Sequence, residues 1–445
     1  MKRLTTSPCY FAIALVFLTL LMTACNLVQG TPLGVGVTPS PNVPEPVVTT
    51  LPQTSVETPG APPQTQPMSP LRLWIPPEIG ARTEAGAQEL ASQIRAHQTA
   101  QSSLEVIVEQ KPVDGPGGIL NYLQTGRPVA PSVMPDVVAV PTSLLAESRT
   151  RELFHPLNGL MDTGFMTDIY PAPAAQVVSQ DQIFGYPFAS IGLTHLIYNP
   201  SIVTDTISMD WTELISTTNR TLVLPADSRE GAMLGLQFYL AEGGRLTDDT
   251  GRATLEPEPL SRALTTIAGL KENLLQSHQL KTLDEAWQYF QLGLSDFMWI
   301  RSEYLLGRQA VDPTIVSRLG YTTVPGTGEP LTPLTTTWAW AVTTDDPVRQ
   351  EHAADLISFL TTPENLANWS ERSQTLPARR SVMDLLANSN PYYQFAGGQM
   401  EQMEAMPVSE TSRLMDTLGD AVFQVLTTET SPALIAEQAA AALRQ

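Results

Sequence analysis

The sequence predicts an α/β fold for residues 71–445, and three observations predict it. Short apolar runs of strand length recur, amphipathic helical stretches lie between them, and polar caps or breakers mark the junctions. Strands separated by helices imply α/β units with mainly parallel sheets. Residues 71–75 (LRLWI) form the first expected strand and 85–97 the helix that follows it. Residues 104–108 are a second strand, and 137–140 (VVAV), apolar throughout, a short buried one. Residues 221–224 are a further strand, which feeds a helix over 231–240. Asp210-Trp-Thr-Glu213 and Thr282-Leu-Asp-Glu285 both have the form of a capping box, the first in a looser aspartate version. Ala353, Leu356, Ile357 and Leu360 make the i, i+3, i+4, i+7 stripe of an amphipathic helix, which Thr361-Thr-Pro363 ends. The chain has no internal repeat.

The first 70 residues differ in kind. Lys2 and Arg3 precede an apolar run at residues 10–22, the charged start and hydrophobic middle of an export signal. That run is too short to span a bilayer. Met22-Thr23-Ala24-Cys25 sets an aliphatic residue and two small ones before a cysteine, and it resembles the bacterial lipobox. Residues 1–24 are therefore expected to be removed as a lipoprotein signal peptide, with lipid attached at Cys25. Cys9, the other cysteine, lies in that signal, so the mature chain is expected to keep one lipidated thiol and no internal disulfide. Residues 26–70 hold eleven prolines and no aromatic residue, and only Glu45 and Glu57 are charged. Such a stretch buries too little apolar surface to fold. Residues 25–70 thus predict a disordered tether, extending about 3.1 Å per residue where it adopts polyproline II. It would hold the folded part, a monomer, at the extracytoplasmic face of the cell membrane, in a periplasm or on an exposed surface.

Composition narrows the function. With 445 residues, 42% of them hydrophobic, the chain has material for two or three domains. A net charge of -20, with lysine only at positions 2, 111, 271 and 281, excludes nucleic acid or anionic lipid held through a basic patch. Nucleophile elbows, zinc-protease motifs, phosphate loops and calcium loops are all missing from the sequence. The five histidines (97, 155, 195, 278 and 352) include no pair at ligand spacing, so neither a metal site nor a cofactor is expected. An enzyme would need two carboxylates to meet in space as in a glycosidase. The expectation is a protein without catalytic residues.

A series of segments then carries a resemblance. Met134-Pro-Asp-Val-Val-Ala-Val-Pro-Thr-Ser-Leu144 with Leu153-Phe-His-Pro-Leu157, and Ile183-Phe-Gly-Tyr-Pro-Phe188 with Leu196-Ile-Tyr-Asn-Pro200 and Asp210-Trp-Thr-Glu-Leu214, look like passages of the bacterial extracellular solute-binding proteins, family 1. Ala241-Glu-Gly-Gly-Arg-Leu246, Phe297-Met-Trp299, Val324-Pro-Gly326, Thr337-Trp-Ala-Trp-Ala-Val342 and Leu376-Pro-Ala-Arg379 follow in that family's order. The resemblance covers nearly all of residues 71–445. It implies the two-lobed, type II periplasmic-binding-protein fold, with lobe one at about 71–188 and 333–385 and lobe two at about 189–332 and 386–445. It also implies a ligand cleft between the lobes and a crossing near residues 187–192. The implied function is capture of a small solute, chiefly a sugar or oligosaccharide, for the permease of an ATP-binding-cassette importer. A sensor serving a membrane kinase is the second reading. One departure stands out: the family's usual aromatic in the helix after Met406-Pro407 is missing from 412–418, which argues against a maltodextrin-like ligand.

Sugars present flat apolar faces and rings of hydroxyls, so their sites need aromatic platforms beside carboxylates, amides and guanidinium groups. From the segments that line the cleft in the family, the platforms are Trp299, Tyr304 and Trp338, the last chosen over Trp340 as nearer the crossing. Loops at the C-terminal ends of strands, where open α/β sheets bind ligands, nominate Glu78, Thr142 and Ser143. Asp136 precedes its strand and is assigned to a turn or cap. Ser190 lies in the crossing. Ser228, Arg229 and Glu230 stand where a strand gives way to a helix, and Arg301 stands in a cleft-lining segment as an anion ligand or an interlobe ion pair.

Overall fold

A strand as apolar as VVAVP must be covered on both faces, and Val137–Pro141 lies inside its sheet with neighbours on both sides. The computed structural model describes residues 69–444 apart from 102–103, 219, 276–278 and 410–411. The expected export signal, Cys25 and the tether up to residue 68 lie outside the described residues. The strands are, in chain order, β1 (Leu71–Ile75), β2 (Val106–Gln110), β3 (Val137–Pro141), β4 (Val178–Ser179), β5 (Gln182–Ile183), β6 (Tyr186–Ile191), β7 (Thr194–Tyr198), β8 (Leu222–Val223), β9 (Phe297–Arg301), β10 (Gly320–Thr322), β11 (Leu334–Val342), β12 (Leu376–Pro377) and β13 (Glu404–Ala405).

These make two main sheets and a β4–β5 hairpin. The first sheet has the order β12-β6-β11-β3-β1-β2, with β13 beside the start of β11, and the second has the order β10-β7-β9-β8. β1 is parallel to both β2 and β3, whereas β11 runs antiparallel to β3 and β6. The fold is α/β, as expected, but the sheets are mixed.

Each sheet sorts its side chains by the two-residue period of a strand. In β9, Met298 and Ile300 enter a first core while Phe297 and Trp299 enter a second. β7 and β8 divide likewise, Ile197 and Val223 to the first core and Leu196 and Leu222 to the second. The first core wraps the first sheet and continues beneath the second through Tyr392, Tyr393, Ala396 and Met400 of the helix Pro391–Met400. The second core lies under the helices Arg229–Ala241, Pro257–Gly269, Arg413–Thr427 and Pro432–Leu443.

Local signals place the helices. Thr282 and Glu285 form the full reciprocal capping box. At the other expected box, Asp210 accepts from the Glu213 amide at 3.0 Å, but the Glu213 carboxylate takes the Ser208 hydroxyl at 2.8 Å instead of reaching back. The amphipathic stripe falls within Pro347–Leu360, and the break after it leads into the helix Pro363–Ser373. The second strand begins at Val106 instead of 104, because the Leu104 amide is held in a turn by the Gln101 carbonyl at 2.9 Å. Asp136 is structural: it takes the Arg72 amide at 2.7 Å and pairs with Arg349 of Pro347–Leu360 at 2.5 Å.

In the first core Phe188 stacks on Trp340, ring centroids 4.4 Å apart and planes 11° apart, with Trp369 at 5.4 Å. Truncating the 3% exposed Trp340 leaves a cavity against both rings. Trp340→Ala is expected to lower unfolding stability by about 3–5 kcal/mol, seen as a fall in the urea midpoint with little change in slope.

Candidate functional site

The direction of the strands brings two sheet edges together. β6 runs parallel to β3 because both oppose β11, so Ile191 ends at the same edge as Ile75, Gln110 and Pro141. From Ile191 the chain crosses two residues, Gly192 and Leu193, and starts β7. Thr194, the first residue of β7, pairs with Arg301, the last of β9, and β8 is parallel to β9. The C-terminal ends of β1, β2, β3 and β6 therefore meet the C-terminal ends of β8 and β9 at the crossing. Carboxyl edges of open sheets are where α/β folds hold ligands.

At the β8 end of this edge lies a pocket of about 460 Å³, lined by residues 226–229, Ala232, Met415, Asp416, Gly419, Asp420 and Phe423. Its walls are the starts of two helices, Arg229–Ala241 and Arg413–Thr427. These pack closely: a Cβ on Gly235 would stand 2.6 Å from a Val422 methyl, and one on Gly419 would stand 3.3 Å from the Ala232 Cβ. The order of those contacts makes the helices run the same way, so both N-termini, with their partial positive charge, lie at the pocket. Asp416 and Asp420 are exposed on its wall. Asp227 meets Lys281 at 3.5 Å, and Phe423 supplies a half-buried apolar ring. The lining thus combines carboxylate acceptors, a guanidinium and an apolar plate.

Of the residues nominated from sequence, Ser228 and Arg229 line this pocket and Glu230 adjoins it. Ser228 caps its helix: the hydroxyl receives the Glu230 amide at 3.1 Å, and its single hydrogen is shared between the Pro225 carbonyl and the Glu230 carboxylate, the latter at 2.7 Å. Glu78 is exposed in the turn after β1, and Ser143 is half-buried after β3. Thr142, 1% exposed, bonds the Gln176 side chain and, at 3.2 Å, the Thr337 carbonyl. Ser190 is fully buried against the Thr337 hydroxyl at 2.8 Å. Both hydroxyls are thus spent inside the protein. Tyr304 is half-buried and tied to Asp284 at 2.6 Å, with the Arg308 guanidinium 4.8 Å from its ring centroid.

Two expected platforms need correcting. Trp299 is 0% exposed, because both faces of β9 are covered and the alternation of the strand sends its ring into the second core. Trp338 is 4% exposed and sits in the first core together with Trp340. Two residues apart on one strand, the pair share a face, so the sequence offered no ground for sending only one of them to a cleft. Residues 412–418 carry no aromatic, and the ring that lines the pocket is that of Phe423 in the same helix. The signal was present: Asp416, Gly419, Asp420 and Phe423 recur at helical spacing on one face. Among the described residues no three His, Cys, Asp or Glu side chains are placed to hold a metal ion.

The crossing itself is polar inside. Arg301 forms an ion pair with Glu303 at 3.0 Å, and Glu303 accepts the Gly192 amide at 2.8 Å. Burial alone would raise the Glu303 pKa, but Arg301, Arg82 and the backbone donors outweigh it and hold the carboxyl below its usual range. Beside it the fully buried His195 is pushed down to about 4, chiefly by loss of water, against the weaker opposing pull of the Leu193 carbonyl and Glu303. Its ring lies 5.4 Å from those of Tyr392 and Phe395.

A model of the family described as bacterial extracellular solute-binding protein matches residues 93–394. No curated protein matches the chain. Many solved structures do. The sugar-binding protein MalE of the phytopathogen Xanthomonas citri superposes with a TM-score of 0.65 at 16% identity, over 84% of this chain and 96% of that one. MalE3 of T. maritima, with maltose bound, gives 0.60 at 17%, over 84% and 98%. The GacH receptor of Streptomyces glaucescens, solved unliganded and with acarbose, gives 0.59 at 17%, over 84% and 97%. At such identities the likeness is one of fold.

His195 generates a pH prediction. Its imidazole is neutral in the folded state down to about pH 4 and becomes charged below about 6.5 once unfolded. Its contribution is whole above pH 6.5 and is lost as the pH falls toward 4, a change of about 3 kcal/mol. Melting temperatures between pH 7 and 4 are expected to fall less steeply in His195→Phe than in the unaltered chain.

Proposed function

Because the chain belongs to the bacterial extracellular solute-binding protein family, we propose that it captures a carbohydrate in the pocket at residues 226–232 and 415–423 and delivers it to the permease of an ATP-binding-cassette importer. Members of the family bind solutes; they are not enzymes. The observation that carries the carbohydrate reading is the lining. The Asp416 and Asp420 carboxylates can accept hydroxyl hydrogens, and the Phe423 ring can cover an apolar sugar face. Similar folds solved with maltose and acarbose support the same ligand class.

Delivery follows from the two edges. The sheets support two lobes, about 71–188 with 333–385 and about 189–332 with 386–445, that turn about the crossing. Closure brings Glu78 and Ser143 of the first edge toward a solute already held on the second. The solute favours the closed form only through contacts that the open form lacks. Lipid at Cys25 and the proline-rich tether would keep this monomer beside its permease at the outer face of the membrane.

Titration calorimetry of the full chain with maltose, maltotriose, acarbose and tagatose tests the reading. At least one is expected to bind and be recovered unchanged. Phe423→Ala and Asp416→Ala are each expected to weaken that binding about tenfold, roughly 1.4 kcal/mol. Full affinity in both variants, or consumption of the sugar, would sink the proposal. Small-angle scattering with the bound sugar is expected to show compaction, and an unchanged profile would remove the closing motion from the mechanism.

A further inference from the structure

The passage between the sheets is two residues long, and one of them has a backbone that favours glycine. Gly192 sits at φ +86, a conformation that side chains rarely allow. Its amide does not join a ladder; it donates to the Glu303 carboxylate at 2.8 Å. The Ser302 hydroxyl reaches the same oxygen at 3.1 Å, Arg301 meets the other at 3.0 Å, and the Ser302 amide donates to the Leu193 carbonyl at 2.9 Å. Glu303 opens the helix Ser302–Val311 of the second sheet, and its side chain is only 11% exposed. Elsewhere the chain recrosses by main-chain bonds, Glu404 to the Pro333 carbonyl at 2.9 Å and Met406 to the Thr335 carbonyl at 2.7 Å.

A nearly dry carboxylate is retained only if its lone pairs are well used. One of those uses is a grip on the backbone at the point about which the lobes would turn. Rotation about Gly192 swings its N–H away from Glu303, so that bond belongs to one lobe angle. A charge-assisted bond is roughly twice as strong as a neutral one, and Arg82, from the segment after β1, adds its positive charge from the first lobe's side. We infer that Glu303 is the positioning residue of the hinge: it holds the Gly192 amide, fixes the angle between the lobes, and thereby sets solute affinity without touching solute. This rests on the hinge proposed above.

The test is a distance distribution between spin labels at Val133→Cys and Val311→Cys, exposed by 48% and 85%. The labels are carried on the full chain with Cys9→Ser and Cys25→Ser, without solute. The unaltered hinge is expected to give one narrow distance. Glu303→Ala should lose it for a broad distribution, and Glu303→Gln, which keeps an acceptor without the charge, should fall between. Leu193→Gly loosens the crossing directly and serves as the control. If it broadens the distances while both Glu303 variants stay narrow, the clamp is wrong and the hinge stands. If none broadens, the hinge itself fails; a broad distribution in the unaltered protein also overturns the clamp. Should Glu303→Ala not fold, hydrogen exchange at the Gly192 amide decides: about fivefold faster in Glu303→Gln supports the clamp, and an unchanged rate overturns it.

Discussion

The direction in which the strands run is the constraint on which the rest of this structure depends. β11 opposes both β3 and β6, which forces the chain to leave the first sheet at the edge where β1, β2 and β3 also end. The two-residue crossing then obliges β7 to start, and β8 and β9 to finish, at the facing edge. Loops that follow strands are the part of an α/β fold freest to vary, since no ladder holds them. Both sets of such loops converge on one region of the molecule, and the pocket, the crossing and the Glu303 cluster are all found there.

Polar and apolar material is divided sharply. Among the described residues, the buried indole N–H groups of Trp74, Trp211, Trp299, Trp338 and Trp369 find no hydrogen-bond partner. What these side chains contribute is large ring burial. Tryptophan is thus used mainly as core volume, and the aromatic surface left at the pocket is a phenylalanine. Arginines, in turn, tie distant segments together: Arg349 to Asp136, Arg379 to Asp168 and Arg380 to Glu401. In a chain this acidic, few cations remain to define a surface of their own.

How much of this was legible depended on whether a signal was local. The strand at 137–140, the capping box at Thr282 and the helical stripe ending at Leu360 are each decided within a few residues, and each is where the sequence put it. The ordered motifs pointed to the family for the same reason. The platforms were less readable. β9 is covered on both faces, so nothing in FMWIR says that Trp299 enters the second core while Met298 and Ile300 enter the first. Thr142 and Ser190 stand at carboxyl ends of strands, yet both hydroxyls are satisfied by Thr337, almost 150 or more residues away. Phe423 lies beyond the 412–418 stretch, although its helical face with Asp416, Gly419 and Asp420 is already written in the sequence.

The pocket's two walls lie far apart in the chain, one at residues 226–232 and the other at 415–423. The later helix also supplies Leu414, Leu418, Val422 and Val425 to the second core. A chain made from its N-terminus onward therefore carries the second sheet with an apolar face uncovered until residues 413–427 have been made. Synthesis order thus gives the helix Arg413–Thr427 two jobs at once, shielding a sticky intermediate and closing the second wall of the pocket. Chains that stop short of residue 413 would accordingly be marked twice, by an exposed apolar face and by a pocket with one wall.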